Sequence, residues 1–435
     1  MGQHFSESVD FGDITTLINR ELKRLGWTPT QEKNYLVKTY RQIILKLLTD
    51  EQLLDFFEYL QNLGNEQTKG NKTMTSPIQK IFFGCPGTGK SHKISNDIDG
   101  GIVKQILGID KNIHPENLIK TVFHPEYTYG DFMGKLMPQT KSNGDVYYQF
   151  YQGHFLQALA QAYKNLLVQK EDETVQNVAL VIDEINRGNS SAIFGTVFQL
   201  LDRRQDGWSA YEISLSDLEF QTLIKLTGFK EVGFNNVEKV PTYTYGKHTS
   251  ERKLGEYQDI LDKIQIKVEK STSVVSSIRI PYNLSIFGTM NTSDNSIYFM
   301  DNAFKRRWEW EYVDWNEDDD KKLDNVTLEG YGDGTLKWKN LVERFNIFIK
   351  DNHNSVRSGR IEDMQIGYRF INAGTITEDQ IKNKLMFFIW DSVFNRDKTP
   401  IRKLLNKSDK ELVTFGDFIK YHQEFVTNLL KYTTK

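Results

Sequence analysis

The chain has 435 residues, 38% hydrophobic and 26% charged, with a formal net charge of −3, which fits a globular protein of two or three domains and excludes a polycation that grips nucleic acid by bulk charge. A single cysteine excludes an internal disulfide framework and a cysteine-rich zinc site. No apolar run reaches the ~18–20 residues that span a bilayer, and the start, MGQHFSESVD, lacks the features of a signal peptide, so the expectation is a soluble cytoplasmic protein without membrane contact.

Residues 14–62 read as helical, with Ile14, Leu17, Ile18 and Leu22 on one face. Thr28-Pro29-Thr30-Gln31 combines an N-cap, a proline at the first helical position and a glutamine at the third; Thr49-Asp50-Glu51-Gln52 repeats the cap ahead of Leu53, Leu54, Phe57 and Leu60. The polar stretch that follows, GNEQTKGNKTMTS, reads as a linker. The expected organisation is a helical accessory module over 1–63, a linker over 64–77, a large α/β domain over 78–313 and a mostly helical small domain over 314–435. Within the large domain, short apolar runs at 81–83, 119–123, 178–182 and 284–290 alternate with apolar-periodic helices near 155–167 and 192–201. That alternation predicts a parallel sheet covered by helices. The Lys- and Glu-rich segment 210–275 interrupts it and reads as a surface insertion. Beyond Val313, 336–349, 378–394 and 415–430 read as helices.

Gly84-Cys85-Pro86-Gly87-Thr88-Gly89-Lys90-Ser91 fits G-x-x-x-x-G-K-[ST] between a predicted strand and a predicted helix, the context this motif requires. In such a loop backbone N–H groups turn inward around phosphate oxygens and the helix N-terminus adds a positive dipole end. Gly84, Pro86, Gly87, Thr88, Gly89, Lys90 and Ser91 are therefore candidate nucleotide-binding residues. Lys90 is expected to reach the β- and γ-phosphates, and the Ser91 hydroxyl to ligate Mg²⁺. Cys85 fills a free position of the loop, where simple tolerance is a better account than redox chemistry. The run VALVIDE over 178–184 is an apolar strand ending in two carboxylates, placed to project into the ligand crevice of a parallel sheet. Asp183 is expected to hold Mg²⁺ through water, and Glu184 to orient the attacking water. These residues imply a nucleoside triphosphatase.

The strand 284–290 puts Asn291 beside the same crevice, where an amide can contact both the γ-phosphate and the attacking water; Asp294 and Ser296 are near enough in sequence to orient it. Arg306 and Arg307 follow a short predicted helix. The planar guanidinium suits charge on a transferred phosphoryl group, and from this place the pair is expected to face a neighbouring subunit's nucleotide. The plainer account is a basic helix end that satisfies the dipole, and the two are compatible.

Together these residues resemble the McrB family of AAA+ GTPases, the motor subunits of modification-dependent restriction systems. The resemblance rests on the P-loop, on Asp183-Glu184-Ile185-Asn186-Arg187, on Met290-Asn291-Thr292-Ser293-Asp294 and on Ala303-Phe304-Lys305-Arg306-Arg307-Trp308. It extends to Phe123-His124-Pro125, to Tyr129-Gly130-Asp131-Phe132 and to Gln365-Ile366-Gly367-Tyr368-Arg369-Phe370, which looks like the family's lid motif. It implies an AAA+ core with a helical lid, GTP rather than ATP, Mg²⁺, a hexameric ring with nucleotide between subunits, and a separate McrC-like nuclease partner through which DNA is contacted. Lys90, Ser91, Asp183, Glu184, Asn291 and Asp294 become nucleotide-site residues by this resemblance, and Arg306 and Arg307 match the family's arginines. Asn295 stands where the family carries arginine, which bears on intrinsic activity and base preference. The N-terminal module is shorter than the family's DNA-reading domain, so recognition of methylated DNA does not transfer. No acidic pair with a following E-x-K marks a nuclease in this chain. Two alternatives stay open: an ATP-dependent remodelling protein of the MoxR kind, and a slowly hydrolysing, nucleotide-gated scaffold.

Overall fold

The structure, a computed structural model of the chain, describes residues 76–433 except 98, 171–173, 238–239, 269–276, 293–297, 299, 318–320 and 357–360, together with part of residues 15–60. It divides into two compact units, Met1–Met74 and Thr75–Lys435. In the first, the helix Pro29–Tyr40 begins at the proline that the sequence marks as its first position. The second cap forms as read: Gln52 N–H donates to Thr49 Oγ1 (3.3 Å) and Thr49 N–H to Gln52 Oε1 (3.0 Å). Ile18, Leu22, Leu36, Leu53, Phe56 and Leu60 make its core, and Tyr35 stacks on Phe56 at 5.2 Å.

The second unit is built on five parallel strands: β1 (Gln79–Gly84), β2 (Leu118–Val122), β3 (Val178–Asp183), β4 (Leu284–Asn291) and β5 (Glu309–Tyr312). Their spatial order is β5–β1–β4–β3–β2. The inner strands β1, β4 and β3 are covered on both sides, which is why they read as apolar runs, whereas the edge strand β5, EWEY, is half exposed and was not anticipated from the sequence. Successive residues split between the faces as the two-residue period demands. Ile81, Leu180, Ile182 and Ile286 join the core that contains Phe155, Leu159 and Tyr163 of the helix His154–Val168. Phe82, Ala179, Val181 and Phe287 meet Ile94, Val103 and Leu107 on the other side.

Two parts of this unit depart from the sequence reading. The described part of the polar segment, residues 210–268 apart from 238–239, is a folded element. Its helix Asp217–Leu226 starts with a Ser216/Glu219 capping box, and strands Lys230–Asn235, Val240–Tyr245 and His248–Lys253 form an antiparallel sheet. Phe220, Leu223, Phe229, Tyr243 and Tyr257 are buried in the same core as the helix His154–Val168. An antiparallel hairpin, Gly134–Thr140 with Val146–Gln152, also emerges ahead of that helix, where sequence periodicity gave no signal.

Beyond Val313 a separate core gathers Trp338, Leu341, Phe345, Ile366, Leu385, Ile389 and Phe425 around the helices Trp338–Asp351, Thr399–Leu405 and His422–Leu430. The region expected as one helix over 378–394 opens with a Thr377/Gln380 capping box and then widens into two π-helical stretches, Ile381–Met386 and Ile389–Val393.

One buried cation pins the sheet to the element that follows β3. Arg203 Nη1 donates to the carbonyls of Gly207, Ile280 and Pro281 (3.1–3.2 Å), Nη2 to that of Leu284 (3.0 Å), and Nε to Gln79 Oε1 (3.4 Å). Burial pulls its pKa down only to about 9, so the group stays charged at neutral pH. Truncation strands several buried carbonyls at once. Arg203→Met is therefore expected to lower the stability of this unit by on the order of 3 kcal/mol, read as an earlier urea midpoint.

Candidate active site

The strand ends that form the site are aligned by register: Gly84 of β1 lies opposite Asn291 of β4, and Asp183 of β3 opposite Val122 of β2. The P-loop leaves β1 at Gly84 and feeds the helix Lys90–Ile94. Gly87 (φ 79°) and Gly89 (φ 87°) supply backbone angles that side chains avoid, and a Cβ at Gly87 would stand 2.4 Å from Phe370 N. Lys90 is buried, with Nζ folded into the loop on the carbonyls of Cys85 (2.8 Å) and Gly84 (3.1 Å).

The acidic pair is held by β4. Asp183 Oδ1 accepts from Ser91 Oγ and from Thr289 Oγ1, each at 2.8 Å. Thr289 Oγ1 in turn accepts from Glu184 N–H (3.2 Å), and Asn291 Nδ2 donates to Glu184 Oε1 at 2.6 Å. Glu184 has φ 54°, a left-handed backbone that costs a non-glycine residue ~1–2 kcal/mol. Such an angle at the end of a buried strand is held by its surroundings and points to a functional demand on the side chain. Arg187 Nε lies 3.9 Å from Glu184 Oε2, and the buried Asn186 donates to the Asn291 carbonyl (3.0 Å). Ser91 and Asp183 offer a hydroxyl and a carboxylate side by side, the hard-oxygen set that suits Mg²⁺ when substrate phosphates and water complete its shell.

Of the expected residues, the loop 84–91, Asp183, Glu184 and Asn291 thus converge. Asp294 and Asn295 lie outside the described residues. The arginine pair separates. Arg306 is exposed: its backbone N–H donates to the Asn302 carbonyl (3.1 Å), while among the described residues no hydrogen bond or ion pair engages its guanidinium. Arg307 turns inward, which corrects its reading as a group facing a neighbour. Its Nη2 and Nε lie 2.7 and 3.0 Å from Asp202 Oδ2, its Nη1 donates to the Ala303 carbonyl, and its guanidinium stacks 3.9 Å from the Phe198 ring centroid. A planar cation between a carboxylate and an aromatic face is satisfied where it is.

Two residues were missed. Thr289 passed as an ordinary strand former, although its place two residues before Asn291 puts both on one face of β4. Arg369 comes from the second core: the segment 367–370 docks on the P-loop, Gly367 N–H donating to the Pro86 carbonyl (2.8 Å) and Arg369 N–H to the Gly87 carbonyl (2.9 Å). The Arg369 guanidinium lies against Gly89, in a small pocket shared with Thr88, His92, Lys93 and Glu317.

This sheet order, with a P-loop after the first strand and an acidic pair closing the third, defines the AAA+ class of P-loop proteins. No protein-family model matches the chain. The Type II restriction enzyme BsuMI component YdiS of Bacillus subtilis (strain 168) is 28% identical over 369 residues, 79% of this chain and 85% of that protein. The Type IV methyl-directed restriction enzyme EcoKMcrB subunit of Escherichia coli (strain K12) is 24% identical over 242 residues, 54% of this chain but 35% of its own length. The uncharacterized protein slr1353 of Synechocystis is 51% identical over 53 residues, 12% of this chain and 18% of that one. The chain is thus McrB-like, as its motifs imply. Among the described residues no helix is long and apolar enough to cross a membrane.

Burial pushes the Cys85 thiol up to about 12, so it remains protonated throughout the neutral range. The native protein is expected to resist thiol-specific reagents up to about pH 9 and to react fully once denatured, followed by absorbance of the released chromophore.

Proposed function

We propose that this chain binds and hydrolyses a nucleoside triphosphate, GTP in preference to ATP, as one subunit of a hexameric ring that drives or gates a separate McrC-like nuclease in cytoplasmic DNA restriction. The observation that carries the reading is one sheet edge that gathers a P-loop lysine, a hydroxyl–carboxylate pair and a glutamate held by an amide. The restriction setting is supported by the two relatives that match the longest stretches, both named as restriction-enzyme components, and DNA contact then belongs to the complex.

In this reading Lys90 exchanges its loop carbonyls for β- and γ-phosphate oxygens, and the backbone N–H groups of the loop line the same phosphates. Ser91 and Asp183 would hold Mg²⁺, Asp183 through water, and the ion would supply positive charge to offset that of the phosphates. Glu184 accepts a hydrogen bond from the attacking water and fixes its approach. Asn291 donates to Glu184 and reaches the same crevice, so one amide aligns the carboxylate, the water and the γ-phosphate. Asp294 is assigned to the same site by the family resemblance alone. Arg369 adds a cation from the chain's own lid, residues 314–435, and Arg306 one from the neighbouring subunit.

Three measurements test this. Glu184→Gln is expected to keep nucleotide affinity while kcat falls at least ~10²-fold; retained turnover would remove Glu184 from the chemistry. Turnover of GTP against ATP by the purified chain should favour GTP, whereas clear ATP preference would favour a MoxR-like remodelling role. Arg306→Ala subunits mixed with Glu184→Gln subunits should recover turnover, because each supplies what the other lacks; no recovery would place Arg306 outside its neighbour's site.

A further inference from the structure

Arg306 and Arg307 are adjacent and chemically identical, yet their surroundings give them opposite tasks. The backbone around them is fixed at four points. Asp301 caps the helix Asn302–Lys305 by accepting from Phe304 N–H (2.7 Å), and its other oxygen accepts from Ser191 Oγ (2.9 Å). The Arg307 side chain is fixed by Asp202 and Phe198, as described, and is 8% exposed. The Arg307 carbonyl accepts from Gln79 Nε2 of β1, whose other donor bond goes to the Leu201 carbonyl (2.9 Å). Between these anchors the Arg306 backbone, and with it the base of its side chain, has little freedom.

Three of the anchoring side chains, Ser191, Phe198 and Asp202, lie on or at the end of the helical segment 190–201. That segment starts six residues after Glu184. Its N-cap Asn189 accepts from Ala192 N–H (3.2 Å), and Ser190 Oγ donates back to the Ile185 carbonyl. A short, internally bonded piece of chain therefore runs from the chain's own water-orienting glutamate to the base of its own exposed arginine.

We propose that Asp202 is a positioning residue: by clamping Arg307 against Phe198 it sets the direction in which Arg306 leaves the subunit, and the segment 190–201 makes that direction depend on the state of the same subunit's site. The proposal rests on the reading that Arg306 serves a neighbour's nucleotide. It assigns Asp202 an effect on turnover in the adjacent subunit rather than in its own. An arginine whose base tilts by about an ångström loses its contact with a transferred phosphoryl group, which costs on the order of tenfold to a hundredfold in rate.

The test uses full-length chains in mixed rings. Acceptor subunits carry Arg306→Ala and keep an intact site; donor subunits carry Glu184→Gln and keep an intact Arg306, so turnover comes from acceptor sites beside donor arginines. Adding Asp202→Asn to the donor is expected to lower mixed-ring kcat at least tenfold, with KM, ring size and thermal midpoint near those of the parent donor. Asp202→Glu in the donor should restore much of the rate, because it returns the carboxylate. Arg307→Lys should restore little, because an ammonium keeps the charge and loses the planar stack. If donor Asp202→Asn leaves mixed-ring kcat unchanged while donor Arg306→Ala abolishes it, the clamp is merely structural and the proposal is overturned. If Asp202→Asn fails to fold, the Asp202→Glu and Arg307→Lys donors decide: equal rates in the two overturn it. If donor Arg306→Ala also has no effect, the reading of Arg306 itself has failed.

Discussion

The site depends first on the register between β1 and β4. Gly84, where the phosphate loop begins, lies opposite Asn291, where the amide that holds Glu184 stands. Because side chains alternate across a strand, a slip of one residue would turn Asn291 and Thr289 to the wrong face and release both acidic residues together. The register is secured by burial together with polar ties: Phe287, Ile286 and Leu284 are fully enclosed, Arg203 bonds both Gln79 and the Leu284 carbonyl, and Ser285 Oγ accepts from Ile78 N–H (3.0 Å). Hydrophobic packing four to seven residues earlier on the same strand, about 13–23 Å away at ~3.3 Å per residue, thus helps decide whether a hydroxyl, an amide and two carboxylates meet.

A second dependence joins the two cores of the larger unit. The segment 367–370 is held by the helix Trp338–Asp351: Trp338 Nε1 donates to the Tyr368 carbonyl (2.7 Å), and Asn346 bonds Ile366 through both its amide groups (2.8 and 3.0 Å). The same segment bonds the P-loop through main-chain groups, with the Arg369 guanidinium against Gly89, and so closely that Gly367 and Gly87 tolerate no side chain between them. The phosphate loop is thereby tied through two buried side chains, Trp338 and Asn346, to a helix of the second core.

The inner strands β1, β3 and β4 were legible because they are largely buried and announce themselves as apolar runs, whereas the edge strand β5, EWEY, is half exposed and gave no such signal. The P-loop, the acidic pair and Asn291 were legible because each has a fixed place relative to a strand end. What stayed hidden depended on distant partners. Nothing local distinguishes Arg307 from Arg306; the difference is Asp202 and Phe198, more than a hundred residues earlier. Arg369 belongs to the site only because a second core docks on the loop. The segment 210–275 looked like surface because its few large apolar residues are diluted among charges, yet Phe220, Phe229 and Tyr257 are enough to anchor it.

The backbone of Glu184 carries a further consequence. Its left-handed angle lies where two bonds reach the next strand, Glu184 N–H donating to Thr289 Oγ1 and Asn291 Nδ2 to Glu184 Oε1. Both partners stand in the last three residues of β4, beyond the enclosed apolar residues Leu284, Ile286 and Phe287. The pose of the carboxylate and the apolar packing of the sheet thus rest on different parts of one strand.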